Sequence, residues 1–263
     1  MQQVLSSLTS NRKLIGVLTY CWGDYGEPPG KSSFGMHALL QGHYCRKGSY
    51  FPVGGPSQIS YNAVRTIERH GGKVLVRASV TSIIIEEGKV AGVTLKDGDE
   101  IRAKQVVSTV GATKTFRSFV PIEHQYMVRR ELEGITSLLG ETHGVSLGTL
   151  FLGLSEDCPP LPASNTWVFP SYDHDETVNS MSTSQPGDGT PILYISFGSA
   201  KDPTYSSRHG GKNSCMVCFP CDYSSVEQYA DKRVKKRGAE YEEIKEKIKA
   251  KVLSVRMGMR AWP

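Results

Sequence analysis

The stretch Tyr50 to Val76, YFPVGGPSQISYNAVRTIERHGGKVLV, restricts the fold more than any other part of the chain. Between the glycine pairs Gly54-Gly55 and Gly71-Gly72, the residues Ile59, Ala63, Ile67 and His70 recur three or four apart, the spacing of one helix face. Pro56 suits the first helical turn, where its missing N–H leaves nothing unpaired, and Gly71-Gly72 suits a helix end with positive φ. The apolar segment KVLVRA, expected to be a strand, follows at once. VTSIIIEEGKVAGVTLKDGDEIRA then reads as three strands joined by the turn signals Glu87-Gly88 and Asp97-Gly98, a small β-meander. QVVSTV, residues 105–110, is β-branched on both alternating faces, as a strand buried in a parallel sheet would be, and Gly111 ends it. Helix, strand, meander and buried strand in this order give the expected class, α/β overall and α+β within this stretch.

On the N-terminal side, Leu14, Ile15, Leu18, Cys21 and Trp22 fall at helical spacing behind Ser10 as cap, and GDYGEPPG breaks that helix. Ser32 or Ser33 is then placed to cap a second helix with Met36, Leu39 and Leu40 on one face. From about Pro121 the apolar runs GVSLGTLFLGL, NTWVFP, PILYISFG and CMVCFP are separated by loops rich in Ser, Pro, Gly and Asp, a second and mostly antiparallel region. Ser225 and Gln228 form a possible capping box. A last helix from Ala239 is expected to bury Ile244, Ile248 and Val252 and to pair Glu243 with Lys247.

Composition narrows the functional classes. An apolar content of 38% over 263 residues suffices for a core. Much of the formal charge of +5 sits in Lys232, Arg233, Lys235, Lys236 and Arg237, which reads as a solvated face, so no nucleic-acid partner is expected. No apolar run reaches the ~20 residues that span a bilayer, and MQQVLSSLTS is not a signal sequence. Six cysteines, irregularly placed, do not make a disulfide scaffold. Cys215, Cys218 and Cys221 have C-x-x-C-x-x-C spacing, but on a strand Cys218 faces away from the other two, so no metal is expected. No H-x-x-E-H or H-E-x-x-H histidine spacing occurs.

The ordered elements YFPVGG, helix, GGKVLVRASVTSI and GKVAGVTLKDGDEIRAKQVVSTVG resemble the middle of the phytoene desaturase-like and amine oxidase-like flavoproteins. The run from Lys13 to Val255 is more closely similar to the retinol saturase-like branch of these proteins. The resemblance implies the central part of a two-dinucleotide-binding FAD oxidoreductase fold. Residues 1–49 would be the helical part of a substrate domain, 50–120 would belong to the FAD-binding domain, 121–255 would return to the substrate domain, and 256–263 depart from the family pattern.

It also implies FAD as cofactor, NADH or NADPH as ultimate donor, retinol or a related polyene as substrate, and peripheral association with the endoplasmic reticulum membrane. The expected reaction reduces the 13,14 double bond of all-trans-retinol. Val80 would meet the flavin adenine edge through its backbone, and Thr109, Val110 and Gly111 would lie near the adenosine and pyrophosphate. Gly54 and Gly55 would lie beside the flavin, with Tyr50 and Phe51 in the substrate cavity and Tyr50 as the nominated proton donor. Read without the resemblance, Gly54-Gly55 is a helix-entry turn and residues 109–111 are a strand end. Such proteins begin with a G-x-G-x-x-G unit, which this sequence lacks; GDYGEPPG is not one, since two prolines stand where a helix should start. An internal fragment that is catalytically silent, and either unstable or acting as a binding module for lipid or protein, is therefore the alternative expectation.

Overall fold

The computed structural model describes residues 1–139, 146–183, 191–221, 223–233 and 235–255. In chain order come α1 (Gln2–Leu8), α2 (Arg12–Thr19), a 3-10 turn (Tyr20–Asp24), α3 (Phe34–Lys47) and α4 (Ser57–Arg69), then β1 (Val80–Glu86), β2 (Lys89–Leu95) and β3 (Glu100–Arg102). A short α5 (Ala112–Lys114) continues through π and 3-10 turns to α6 (Arg129–Leu139). The remainder is β4 (Ser146–Leu154), β5 (Thr166–Val168), α7 (His174–Thr183), β6 (Leu193–Ser196), α8 (Gly198–Lys201), α9 (Tyr205–His209), β7 (Asn213–Cys221), α10 (Ser224–Glu227) and α11 (Ala239–Ser254). The chain divides into two compact units, residues 1–61 with 145–263, and residues 62–144.

The smaller unit holds the expected meander, three antiparallel strands in the order β1-β2-β3. Glu86 pairs with Lys89, leaving Glu87 and Gly88 as a two-residue turn with φ 50 and 73, the hairpin geometry whose twist suits the strands. Ile83 and Leu95 are its buried apolar side chains, and Ser82 Oγ reaches the Phe119 carbonyl at 3.5 Å. Two expected strands are absent. KVLVRA and QVVSTV have no ladder partner among the described residues, and Val76 and Val107 are 82% and 88% exposed. Their composition suits a strand, but a strand exists only where a neighbour takes its N–H and C=O groups.

In the larger unit an antiparallel sheet has the order β4-β7-β6-β5. Alternation along these strands sends Leu150, Leu152, Leu154, Leu193, Ile195, Cys215 and Val217 to one face, where they form the core with Ile248 and Val252 of α11. The other side of α11 is solvated and carries ion pairs, among them Glu243 with Lys247 at 2.9 Å. A second cluster gathers Met1, Trp22 and Ile192 with Trp167 and Phe169.

Three expectations about helices are corrected. The cap of α2 is Asn11, not Ser10, because its side chain accepts from the Leu14 N–H at 3.1 Å. That helix turns Gly16 and Thr19 inward and leaves Leu14 and Leu18 exposed. In α3 the buried residue is His37, hydrogen-bonded to the Leu18 carbonyl at 2.9 Å and to Tyr25 at 3.0 Å, while Met36 and Leu39 face solvent. Polar partners selected the inward face of these helices, which apolar spacing cannot report. The side chain of Ser225 and residues 256–263 lie outside the described residues.

Candidate functional site

The glycine turn before α4 is built by two backbone hydrogen bonds, Gly55 N–H to Pro52 at 2.9 Å and Gln58 N–H to Gly55 at 3.0 Å. Gly54 and Gly55 both have φ of 88, a left-handed conformation that a side chain would strain. A Cβ on Gly55 would meet nothing within 4 Å, so that backbone is open to a flat ligand. Phe51 is half-buried, and Tyr50 is 89% exposed. These four residues belong to the larger unit.

Val80, Thr109, Val110 and Gly111 belong to the smaller unit. Val80 opens β1 opposite Leu95. Thr109 and Val110 are exposed, and Gly111, at φ 95, leads into α5 with open space where a Cβ would be. Thr115 returns a hydrogen bond from its Oγ1 to the Gly111 carbonyl at 2.8 Å and meets Ser108 Oγ at 2.6 Å, which holds the bend. A Cβ at Gly55 or at Gly111 would meet nothing within 4 Å, so packing closes neither position to a ligand.

A further constellation went unread in the sequence. Strand register puts Trp167, Tyr194, Met216, Cys218, Thr149, Phe151 and Leu147 on the sheet face opposite the core. At its β5–β6 end this face is covered. The Gly23 backbone lies so close to Trp167 that a Cβ would sit 2.3 Å from the indole, and Trp167 meets Tyr194 edge-on at 4.8 Å. At its β4 end it is open, with Phe151 76% exposed beside a groove of about 670 Å³ lined also by Tyr205, His209 and Lys212.

Where the covered part begins, the Tyr44 hydroxyl donates to Asp24 Oδ2 at 3.1 Å. Desolvation raises the Asp24 carboxyl above its ordinary value, although the Tyr44 hydrogen bond opposes this. Burial, then the Asp24 charge, pushes the Tyr44 phenol up to about 12. Burial and Asp24 likewise raise Tyr194. Burial first, then Asp24, pushes Cys21 up to about 11, with Gln41 Nε2 at 2.9 Å from its sulfur. The Tyr44 hydroxyl and the Asp24 carboxyl are thus joined by one hydrogen bond in a partly desolvated setting.

Cys215 and Cys218 alternate on β7, and among the described residues no group of His, Cys, Asp or Glu could hold a metal ion.

Helices around an antiparallel sheet, with a separate meander, make a mixed helix and antiparallel-sheet fold. The chain aligns with a crystal structure of an oxidoreductase from Methanosarcina mazei at a TM-score of 0.59 and 18% identity, covering 97% of this chain and 52% of that one. The chain belongs to the flavin containing amine oxidoreductase family, which it matches over residues 12–211. Among curated proteins it is 35% identical to an all-trans-retinol 13,14-reductase of Macaca fascicularis, across 98% of this chain and 43% of that protein. It is 34% identical to an inactive all-trans-retinol 13,14-reductase of Danio rerio, across 92% of this chain and 41% of that protein. The chain thus spans less than half the length of these relatives.

Proposed function

We propose that this chain is the central part of an FAD-dependent oxidoreductase that converts all-trans-retinol to all-trans-13,14-dihydroretinol, with NADH or NADPH as ultimate reductant. The observation that carries this reading is the 35% identity, across 98% of the chain, to a protein named for that reaction. FAD, when bound, supplies the electron pair that saturates the double bond. Gly54 and Gly55 of the larger unit are proposed to offer backbone to it, and Val80, Thr109, Val110 and Gly111 of the smaller unit are separately proposed as dinucleotide-binding positions. Phe51 and the open sheet face around Phe151 and Met216 are proposed to take the apolar polyene and exclude water. Tyr50 was nominated as proton donor by resemblance, but its exposure favours a different group. We assign the proton to Tyr44 Oη, backed by Asp24, at the closed end of that face. Association with the endoplasmic reticulum membrane is proposed on the resemblance and on exposed apolar residues such as Leu39. Among the described residues no helix is long and apolar enough to cross a membrane.

The test is to purify the chain, record its visible spectrum with and without FAD, and supply retinol with a reductant. A bound-flavin spectrum with formation of dihydroretinol supports the reading. A protein that leaves FAD unchanged and retinol intact defeats catalysis by this chain. The second reading, a catalytically silent chain, is favoured by the similarity to a relative named inactive and by the unpaired segments at Val74–Val76 and Val106–Val110. It would leave lipid or protein binding as the activity to seek.

A further inference from the structure

Asp202 is a charged residue that is only 3% exposed, and it lies in the loop between α8 and α9. Its Oδ1 accepts from the Thr204 N–H at 3.0 Å and the Thr204 hydroxyl at 2.8 Å, contacts within its own loop. The same oxygen accepts from the Gly54 N–H at 3.1 Å, across 148 residues of sequence. Its Oδ2 takes the Arg208 guanidinium, whose Nε also reaches Thr204 Oγ1 at 3.3 Å. A buried carboxylate with this many donors is fully satisfied, yet an apolar replacement of similar volume often gives equal or greater stability. What such a group supplies beyond stability is geometry, because its acceptors have fixed directions.

We infer that Asp202, supported by Arg208, is a positioning residue that latches the Gly54–Gly55 turn onto the loop after α8, and so holds that turn in shape for the dinucleotide. The latch stands on the contacts above; only its link to FAD rests on the proposed function. Gly54 and Gly55 are both at positive φ, where glycine has more alternatives than any other residue, so local sequence alone does not hold this turn in one conformation. Gly55 is secured within the turn by the Pro52 carbonyl, whereas the Gly54 N–H depends on Asp202.

The experiment is amide hydrogen exchange on the full chain, read in peptides covering residues 50–58 and in peptides from β6 and β7, for wild type, Asp202→Ala and Asp202→Asn. Asp202→Ala should raise exchange at Gly54 by about tenfold while β6 and β7 stay protected. Asp202→Asn retains an oxygen able to accept from Gly54 but loses the charge, so it should fall between the two. An unchanged turn, or equal loss of protection in the turn and the sheet, would overturn the latch. FAD titration of the same variants follows, with Arg12→Gln, which breaks an exposed ion pair to Asp173, as a control expected to match wild type. Asp202→Ala should weaken FAD binding by about tenfold. Equal FAD affinity in a variant with a loosened turn would overturn the link to the cofactor. If wild type binds no FAD, the proposed function fails on that count, and the exchange result still decides the latch.

Discussion

At the level of single residues, Asp202 and Asp24 show how one side-chain type takes opposite roles. Burial opposes ionisation of Asp202, but the Gly54 and Thr204 donors and Arg208 outweigh it and hold the carboxyl at about 2. An unfolded Asp titrates near ~3.9, so the Asp202 network contributes fully above that pH, and its contribution is lost as pH falls through about 2. Acid unfolding followed by circular dichroism should therefore show a stability gap between wild type and Asp202→Asn that narrows from pH ~4 downward. A gap that widened on acidification would contradict the ionised state. Asp24 shifts the other way, because desolvation exceeds what Tyr44 returns. Replacing Tyr44 by Phe should remove the phenol that ionises near pH 12 from an ultraviolet titration. If Tyr44 holds the proton used in saturation, Tyr44→Phe should also lower retinol turnover by about a hundredfold. Turnover unchanged in the variant would return the assignment to another donor.

Among the elements, helix faces and strand faces were unequally readable. The faces of β4, β6 and β7 follow a strict period of two, so their alternation separates the core row from the open row once register is set. Ile195 is fully buried in the core row, whereas Ile59 on α4 is largely exposed although its spacing suggested a core face. Ile195→Ala should cost about 2–5 kcal/mol, whereas Ile59→Ala should stay within about 0.5 kcal/mol, both read from denaturant unfolding. A large loss at Ile59 would mean that α4 is covered in solution. The helices α2 and α3 direct Thr19 and His37 inward, where Thr19 Oγ1 meets His174 Nδ1 at 3.4 Å and His37 bridges Tyr25 and Leu18. Hydrogen-bond partners of this kind leave no periodic trace.

Across the whole molecule, family membership and the two-unit division set the scale at which function can be read. The chain matches a flavin oxidoreductase family over most of its length but less than half of its curated relatives. What the linear order of residues settled was local: the meander, whose Glu87-Gly88 and Asp97-Gly98 turns need only adjacent residues, the α4 helix between its glycine pairs, the antiparallel runs, and α11 with its core row. These follow from short-range backbone preference and from period, which a single sequence carries in full. KVLVRA and QVVSTV mark the limit, since pairing depends on a neighbour that composition does not name. The Tyr44–Asp24 pair, its placement beside Tyr194, and the hold of Asp202 on Gly54 were decided only when distant segments packed. Each rests on the direction of a polar atom across a contact spanning 20 to 150 residues, and chain folding sets such directions after local structure is already in place.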